Sequence, residues 1–396
     1  MSIKTHLYYN VSKDLIVGFN QSKSVRTYDP AKHALVLMIR GINCNWKQPI
    51  AYYLISNSCT AIDLNNIIFS TIRRLKNINI NVKSLVTDQG SNFLSFSKIN
   101  GVSPDEPYFV VEGEKIIYIF DPPHLLKSTR NMFFKHNFEI NNDLIDKKHL
   151  DEFYSFDSNC NLRTAPKLTY SHVHPGPFEK MKVRLATQVF SHSVAAGMST
   201  ALNIGILPNN SIPTINFIND MDKLFDIFNS SDTPNSKIFN DPFNNNSHQL
   251  DHLNKMTEMF KNMKVVSKLS ATDMTQRVNF LNGWLVSISG LKMLWNSLNV
   301  DQNKDYTLCT GRINQDCLEN LFGTIRQQLG NNTNPTPIQF IWAFKKIFCV
   351  EYFRHSPDAN CIEDLDNVLC QFNEMNEMSA SINEIVNPSK TNFIVM

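Results

Sequence analysis

Three places in the sequence put carboxylates where they could hold a metal ion. Asp88 closes the apolar run in LVTDQGSN, Asp121 closes KIIYIFD, and Asp316 and Glu319 lie one turn apart in NQDCLENLFGTIRQQLG. Acids at the ends of adjacent strands, which lie about 5 Å apart, converge on one point, and a helix laid over the sheet can add another. Such a cluster suits Mg²⁺ or Mn²⁺, hard ions that take oxygen ligands and keep water. Two such ions about 3.5–4 Å apart activate an attacking oxygen and stabilise a leaving one in phosphoryl transfer. Each acid also has an ordinary structural role. A strand-end Asp commonly shapes a turn or caps a helix, and Asp316 and Glu319 could be salt-bridged surface groups whose mutual repulsion costs roughly a few tenths of a kcal/mol.

The elements that must position these acids are readable. DLIVGF (14–19), HALVLMIRGI (33–42) and PIAYYLI (49–55) predict strands, the last two joined through NCNWKQP. AIDLNNIIFSTIRRLKNI (61–78) predicts a helix with Ile62, Ile67, Ile68 and Ile72 inward and its basic residues near the C-terminal end. Leu85 and Val86 form a short strand before Asp88; residues 115–121 form a second, and the prolines after Asp121 open a helix. An antiparallel start followed by strand–acid units predicts a mixed sheet. From about 150 to 305 the pattern turns helical, most clearly at 178–198, 212–231 and 274–298, with an Asn-rich loop at 229–248. In the helix at 314–330, Leu318, Phe322, Ile325 and Leu329 make a stripe that leaves Asp316 and Glu319 on another face; 335–353 packs after it, and the polar chain beyond about 372 is expected to fray.

Composition narrows the classes. The 396 residues carry a formal charge of +2, so nucleic-acid binding would need a local patch; Lys127, Arg130, Arg312 and Arg326 are candidates. The eight cysteines show neither C-x-x-C nor zinc-finger spacing and read as reduced thiols. No apolar run is long enough for a bilayer and MSIKTHLYYN is not a signal peptide, so an intracellular protein without a membrane partner is expected. There is no G-x-x-x-x-G-K-[ST], so an ordinary P-loop nucleotide site is not predicted.

LVTDQGSN, DPPHLLKSTRN, PKLTYSH, KMKVRLATQVFSHSVA, LFDIFN and TGRINQDCLENLFGTIRQ occur together in this order. The set resembles the P-element transposase family, including THAP-domain-containing transposase-like proteins, over most of residues 1–355. The resemblance implies an α/β fold: a ribonuclease-H-like mixed sheet interrupted by a mostly helical GTP-binding insertion. On that layout 1–148 is the first part of the ribonuclease-H-like domain, 149–305 the insertion, 306–356 the part with the Glu319 helix, and 357–396 a polar tail. The resemblance makes Asp88 and Glu319 catalytic and metal-binding and Asp316 an accompanying acid, and gives Asp121 and His124 no step. It places GTP at Lys167, Lys182, Val183, Phe225, Asp226 and Asn229, where the nucleotide supports assembly on DNA without being hydrolysed. Asp226 could accept both N1–H and N2–H₂ of guanine, with Phe225 offering a face, Asn229 reaching the base edge or sugar, and the lysines offsetting phosphate charge. The structural alternative keeps Phe225 in the core and the lysines in solvent.

In the family the first catalytic aspartate ends the central strand, directly before a stretch like EMSIK, and this sequence begins MSIK. That acid, most of its strand and an upstream zinc-binding THAP domain are therefore expected to be missing, with Asp14 a poor substitute. Loss of the strand is expected to expose sheet edges. The expected function is a P-element-like DNA transposase by descent: Mg²⁺-dependent cleavage and strand transfer at transposon ends, GTP-assisted, nuclear, homo-oligomeric, and incomplete in this chain. The alternative is a domesticated, non-catalytic protein that binds GTP and DNA.

Overall fold

The computed structural model describes residues 1–23, 27–42, 44, 46–57, 59–231, 237–244, 246–299, 306–349 and 392–396. Its contacts divide the chain into Met1–Ile119 with Arg312–Met396, and Phe120–Gly311. In chain order the elements begin β1 (Tyr8–Asn10), β2 (Leu15–Val17), β3 (His33–Gly41), β4 (Lys47–Ile55), α1 (Ala61–Asn77), β5 (Asn81–Thr87), α2 (Ser91–Ile99), β6 (Tyr108–Val111) and β7 (Glu114–Phe120). Next come α3 (Pro122–Lys135), β8 (His136–Ile140), β9 (Asp143–Ile145), α4 (Lys147–Asp157), α5 (Tyr170–Val173), α6 (Val183–Val189) and α7 (His192–Asn203). The chain continues with α8 (Ile212–Phe228), α9 (Ser247–Asn262), β10 (Lys264–Ser267), α10 (Phe280–Leu298), α11 (Asp316–Gln328), α12 (Pro337–Cys349) and β11 (Asn392–Val395).

The first unit is built on a six-stranded sheet ordered β4-β3-β11-β5-β7-β6. β3 and β4 form the antiparallel pair read from the sequence, with an irregularity after Leu37. α1 starts where the Thr60 side chain accepts the Asp63 N–H, and it turns Leu64, Ile67, Ile68, Ile72 and Leu75 inward. Ile62 departs from the expected stripe and is 69% exposed. It precedes Leu64 by two residues, about 200° around the helix, so Leu64 takes the inward place.

The centre of this sheet corrects the expectation of bared edges and a frayed terminus. β11 lies between β3 and β5, antiparallel to the first and parallel to the second. Met396 extends the ladder by exchanging two backbone hydrogen bonds with Met38, at 2.8 and 3.1 Å. Ile394 and Val395 are fully buried. NFIV can do this because its apolar, β-branched residues suit a position paired on both sides, whatever the polarity of the sequence before it. The rest of the expected tail, 357–391, and the end of the segment expected at 335–353 lie outside the described residues.

The second unit has a three-stranded sheet, β10-β8-β9, among helices. An aromatic cluster of Phe133, Phe138, Phe190, Phe217 and Phe280 holds α3, β8, α8 and α10 together. The buried Trp284 indole donates to Thr129 Oγ1 at 2.9 Å, fixing α10 on α3. α3, β8 and β9, assigned to the first domain from sequence, share this unit. The single helix expected at 178–198 is a short turn, α6 and α7, because Ser191 is extended (φ −124°, ψ 149°) where α7 begins. The helix expected from 274 starts at Phe280, since Met274 and Thr275 are tied to Val265 of β10.

Candidate functional site

In the first unit, β5 delivers Asp88 one residue past its end, half-buried. Asp88 Oδ1 accepts the Gly90 N–H at 2.8 Å, tightening the turn into α2. A Cβ on Gly90 would stand 2.9 Å from that oxygen and 2.8 Å from Asn92 Oδ1, so a side chain there would push on the Asp88 carboxylate. Beneath it, Thr87 Oγ1 and the Tyr118 hydroxyl lie 2.6 Å apart in the core. Burial pushes the Tyr118 phenol far above its usual range, the Thr87 hydrogen bond opposing and the Asp88 charge adding to the shift.

α11 reaches the same strand. Gln315, at its N-cap, donates its side-chain amide to Val86 O at 3.3 Å, and Arg312 donates to Cys44 O at 2.6 Å, so Arg312 serves the loop after β3. Asp316 and Asn314 are reciprocally bonded: Asn314 Nδ2 donates to Asp316 Oδ2 at 2.9 Å, and the Asp316 N–H to Asn314 Oδ1 at 3.2 Å. Glu319 lies in the first turn, where the helix dipole favours negative charge. The helix buries more than the expected stripe: Cys317, Leu321, Gly323 and Thr324 join Leu318, Phe322 and Ile325, while Leu329 is only half-buried. Asp316 and Glu319 are the half-buried exceptions in its first turn.

The Gln315–Val86 bond sets the first turn of α11, with Asp316 and Glu319, beside the end of β5 that carries Asp88. Burial pushes the Met1 amine down to about 6, Glu319 and Asp88 pull it up and Arg326 pushes it down, so all three side chains act on one point. Among the described residues, no group of three or more His, Cys, Asp or Glu side chains is placed to hold a metal ion. Asp88 and Glu319 are carboxylates, and a pair of them supplies at most two protein ligands to one hydrated divalent ion. They do not make the donor set of a two-ion centre.

Asp121 belongs to the second unit and is 1% exposed. It caps α3 by accepting the His124 N–H at 3.0 Å, and its Oδ2 lies 2.7 Å from His124 Nδ1. The pair is thus a helix cap, the structural role open to it from sequence.

The second unit also holds a cavity of about 450 Å³, with Lys167, His172, Glu179, Lys182, Arg184 and Gln188 among its lining residues. Asp157, 1% exposed, shapes the loop that carries Lys167 by accepting from Arg163 Nε (3.0 Å), Thr164 N–H and Oγ1 (both 2.7 Å) and Ala165 N–H (3.4 Å). Burial works against the charge on Asp157, but these bonds outweigh it and hold the carboxyl below the usual range. Glu179 is likewise held low by hydrogen bonds from Gly176 and Ser171. Burial, with Arg130 and Arg184 nearby, lowers the His172 imidazole. Arg130 is buried, where desolvation lowers it to about 10, and donates to Lys180 O at 2.9 Å. It is an anchor, which corrects its reading as a surface residue tracking phosphates.

Of the six nucleotide residues, Lys167 and Lys182 line this cavity; Val183, at the start of α6, is half-buried and is not part of the lining. Phe225, Asp226 and Asn229 lie together at the end of α8 and are not in that lining either. Asp226 is buried with both oxygens on Lys237 Nζ, at 2.9 and 2.7 Å, and Lys237 Nζ is also 3.5 Å from Asp222. Burial raises the Asp226 carboxyl despite this pairing. A guanine edge at Asp226 would have to replace Lys237. Arg184, His172 and Lys237 were not singled out in the sequence. KMKVR already placed Arg184 beside Lys182, whereas nothing local marks Lys237 as a partner of Asp226.

Three domain models of one family match in chain order: the TNP-like RNase H N-terminal domain at residues 1–101, the TNP-like GTP-binding insertion domain at 123–242, and the TNP-like RNase H C-terminal domain at 312–345. The chain is 28% identical over 370 residues to the transposable element P transposase of Drosophila melanogaster, covering 92% of this chain and 46% of that one. It is 25% identical over 364 residues to the human DNA transposase THAP9, covering 87% of this chain and 39% of that one. The chain thus spans less than half the length of these curated relatives. Its structure is similar to the Drosophila P element transposase strand transfer complex with a TM-score of 0.75 at 26% identity, covering 88% of this chain and 74% of that one. The mixed sheet is ribonuclease-H-like and its two parts flank a GTP-binding insertion domain. From ordered motifs, sheet and relatives alike, the chain belongs to the P-element transposase-like family.

Proposed function

We propose that this chain is the core of a P-element-type DNA transposase that keeps GTP-assisted assembly on DNA and has an incomplete centre for phosphoryl transfer. The observation that carries it is the Gln315–Val86 hydrogen bond, which sets the first turn of α11, with Glu319, beside the end of β5 that carries Asp88. These two carboxylates would hold one Mg²⁺ or Mn²⁺, which when bound neutralises charge developing on a DNA phosphate. Asp316, locked to Asn314, positions the first turn of α11. In the insertion, Lys167 and Lys182 would offset the phosphates of GTP, and Phe225, Asp226 and Asn229 would meet the base. The strand between β3 and β5 is NFIV, which brings no carboxylate side chain to the sheet centre, and the incompleteness is read from that. Transposon ends as the DNA, a homo-oligomeric assembly and a nuclear location are parts of the same reading. A domesticated GTP- and DNA-binding protein without catalysis is the second reading, favoured by the same acid-free strand.

The test is retention of transposon-end DNA with GTP or ATP, beside a Mg²⁺- or Mn²⁺-dependent nicking and strand-transfer assay. The expected result is binding strengthened by GTP over ATP, weakened about tenfold by Lys182→Ala, with nicking at background. Nicking that disappears in Glu319→Gln would show a complete centre. Equal effects of GTP and ATP would overturn the nucleotide reading.

A further inference from the structure

The slot between β3 and β5 is longer than the strand that fills it. β11 pairs with Ile39–Gly41 on one side and Asn81–Leu85 on the other, and Met396 then pairs with Met38. Met1 and Ala34 exchange backbone hydrogen bonds of 2.8 and 2.9 Å further along the same edge of β3. The C-terminal end of β11 therefore points along β5 toward Asp88, with Val395 opposite Leu85. At that end Met396 Sδ lies 3.3 Å from Cys317 Sγ. Cys317 sits in the first turn of α11, between Asp316 and Glu319. Trp46 packs edge-on against Phe393 with ring centroids 5.4 Å apart, clamping the other end.

One short segment thus braces both carriers of the acid pair: its backbone sets β5, and its last side chain packs on the turn of α11 that holds Glu319. We propose that residues 392–396 are a positioning strand, whose docking between β3 and β5 orders Asp88 and Glu319 for their ligand. The ligand part rests on the divalent-ion reading of the acid pair; the ordering part does not. A two-sided ladder and nearly complete burial make the segment a structural member of the sheet, and at four residues it matches β6 as the shortest strand in it. The slot selects by chemistry: it accepts an apolar, extended segment, and a positive charge at position 394 would be buried opposite Arg40, with Lys47 beyond it.

The experiment is amide hydrogen exchange on the full chain, comparing native protein with Ile394→Lys and the conservative Ile394→Val, with Mn²⁺ titration of each. In Ile394→Lys, exchange should rise at least 100-fold across residues 38–42 and 82–86, and also at 88–94 and 316–322, where the acids sit. Segments of α8 and α10 should keep native protection, which separates undocking from unfolding. Mn²⁺ affinity should fall at least tenfold, Ile394→Val should behave as native, and added peptide TNFIVM should restore protection to Ile394→Lys. Unchanged exchange at 38–42 and 82–86 would overturn the docked strand. Loss there with native protection at 88–94 and 316–322 would overturn its positioning role. If Ile394→Lys also loses protection in α8 and α10, Phe393→Ala, which removes only the ring against Trp46, replaces it under the same criteria. If the native chain binds no Mn²⁺, the ion reading fails, while the exchange pattern still decides the strand.

Discussion

Acids in the two units show opposite uses of the same functional group. Asp157 is almost fully buried, and Arg163, Thr164 and Ala165 occupy its oxygens. Asp88 is half-buried and accepts one backbone hydrogen bond, from Gly90; Glu319 is half-buried in the first turn of α11. The first acid is spent on holding a loop in place, and the second pair keeps oxygen available to something outside the chain. The difference teaches that carboxylate convergence and carboxylate burial are separate signals. Burial with full hydrogen bonding marks structure, and shared access at the end of a strand marks a site.

The comparison breaks most visibly at Asp157. Asp157→Ala should destabilise the second unit by about 3 kcal/mol, because it leaves Arg163 Nε and the Thr164 and Ala165 N–H groups without the buried carboxylate that accepts from them. Thermal unfolding checks the magnitude, and Lys167 should lose its fixed place beside the cavity. The pH dependence has a definite sign. The native carboxyl is held below its usual value, so its contribution is complete above the unfolded value of about 3.9. It is lost as pH falls through the lower native value. A variant equally stable at pH 7 would show that the loop is held by other contacts.

How far the sequence revealed this contrast depended on how local each signal was. Asp88, Asp121 and the Glu319 helix were legible because a strand end or a helix start is written in consecutive residues, and β3, β4, α1, β5 and β7 followed from the same runs. The cap role of Asp121 was readable from the prolines that follow it. What stayed hidden came from pairings distant in sequence. NFIV looked like the end of a polar tail because its partners, β3 and β5, lie hundreds of residues away. The Asp226–Lys237 pair was missed for a similar reason: helical spacing relates Asp226 to Asp222 and Asn229, and Lys237 approaches from beyond the helix. The 178–198 pattern read as one helix because periodicity does not register a single extended residue such as Ser191.

A second, smaller break concerns that hidden pair. If Asp226 reads the guanine edge, GTP binding must first displace the Lys237 ammonium from both carboxylate oxygens. Lys237→Ala removes this competitor, so the dissociation constant for GTP should fall by up to about tenfold, equivalent to about 1.4 kcal/mol. Calorimetric titration with GTP and ATP would decide it. Weaker binding in the variant would assign Lys237 to the nucleotide and take the base from Asp226.

His172 gives a pH-dependent effect in the cavity. Its Nδ1 accepts the Thr169 N–H at 3.1 Å, so in the neutral ring the proton sits on Nε2. Burial and the neighbouring Arg130 and Arg184 lower its imidazole. The ring is therefore neutral at pH 7 and gains charge only as pH falls below its lowered value. A phosphate beside Lys167 and Lys182 would favour that charge, so affinity for GTP should rise about threefold between pH 7 and pH 5. Without nucleotide the sign reverses, and the folded state loses stability as pH falls through about 6.5, where the unfolded ring takes up a proton first. His172→Gln should flatten both dependences.

The smallest effect on stability sharpens the comparison most. Glu319→Gln keeps the size and helical preference of the side chain and removes one of two like charges in the first turn of α11. Without divalent ions its unfolding temperature should match the native protein within about 0.5 kcal/mol of stability. Added Mn²⁺ should stabilise the native chain in proportion to its saturation of the site and leave Glu319→Gln unmoved. Asp157→Ala should show the reverse pattern, a large loss of stability with the Mn²⁺ response preserved. If Glu319→Gln instead destabilises the protein as Asp157→Ala does, its carboxylate is a structural acid like Asp157, and the acid pair must give up its claim to a ligand.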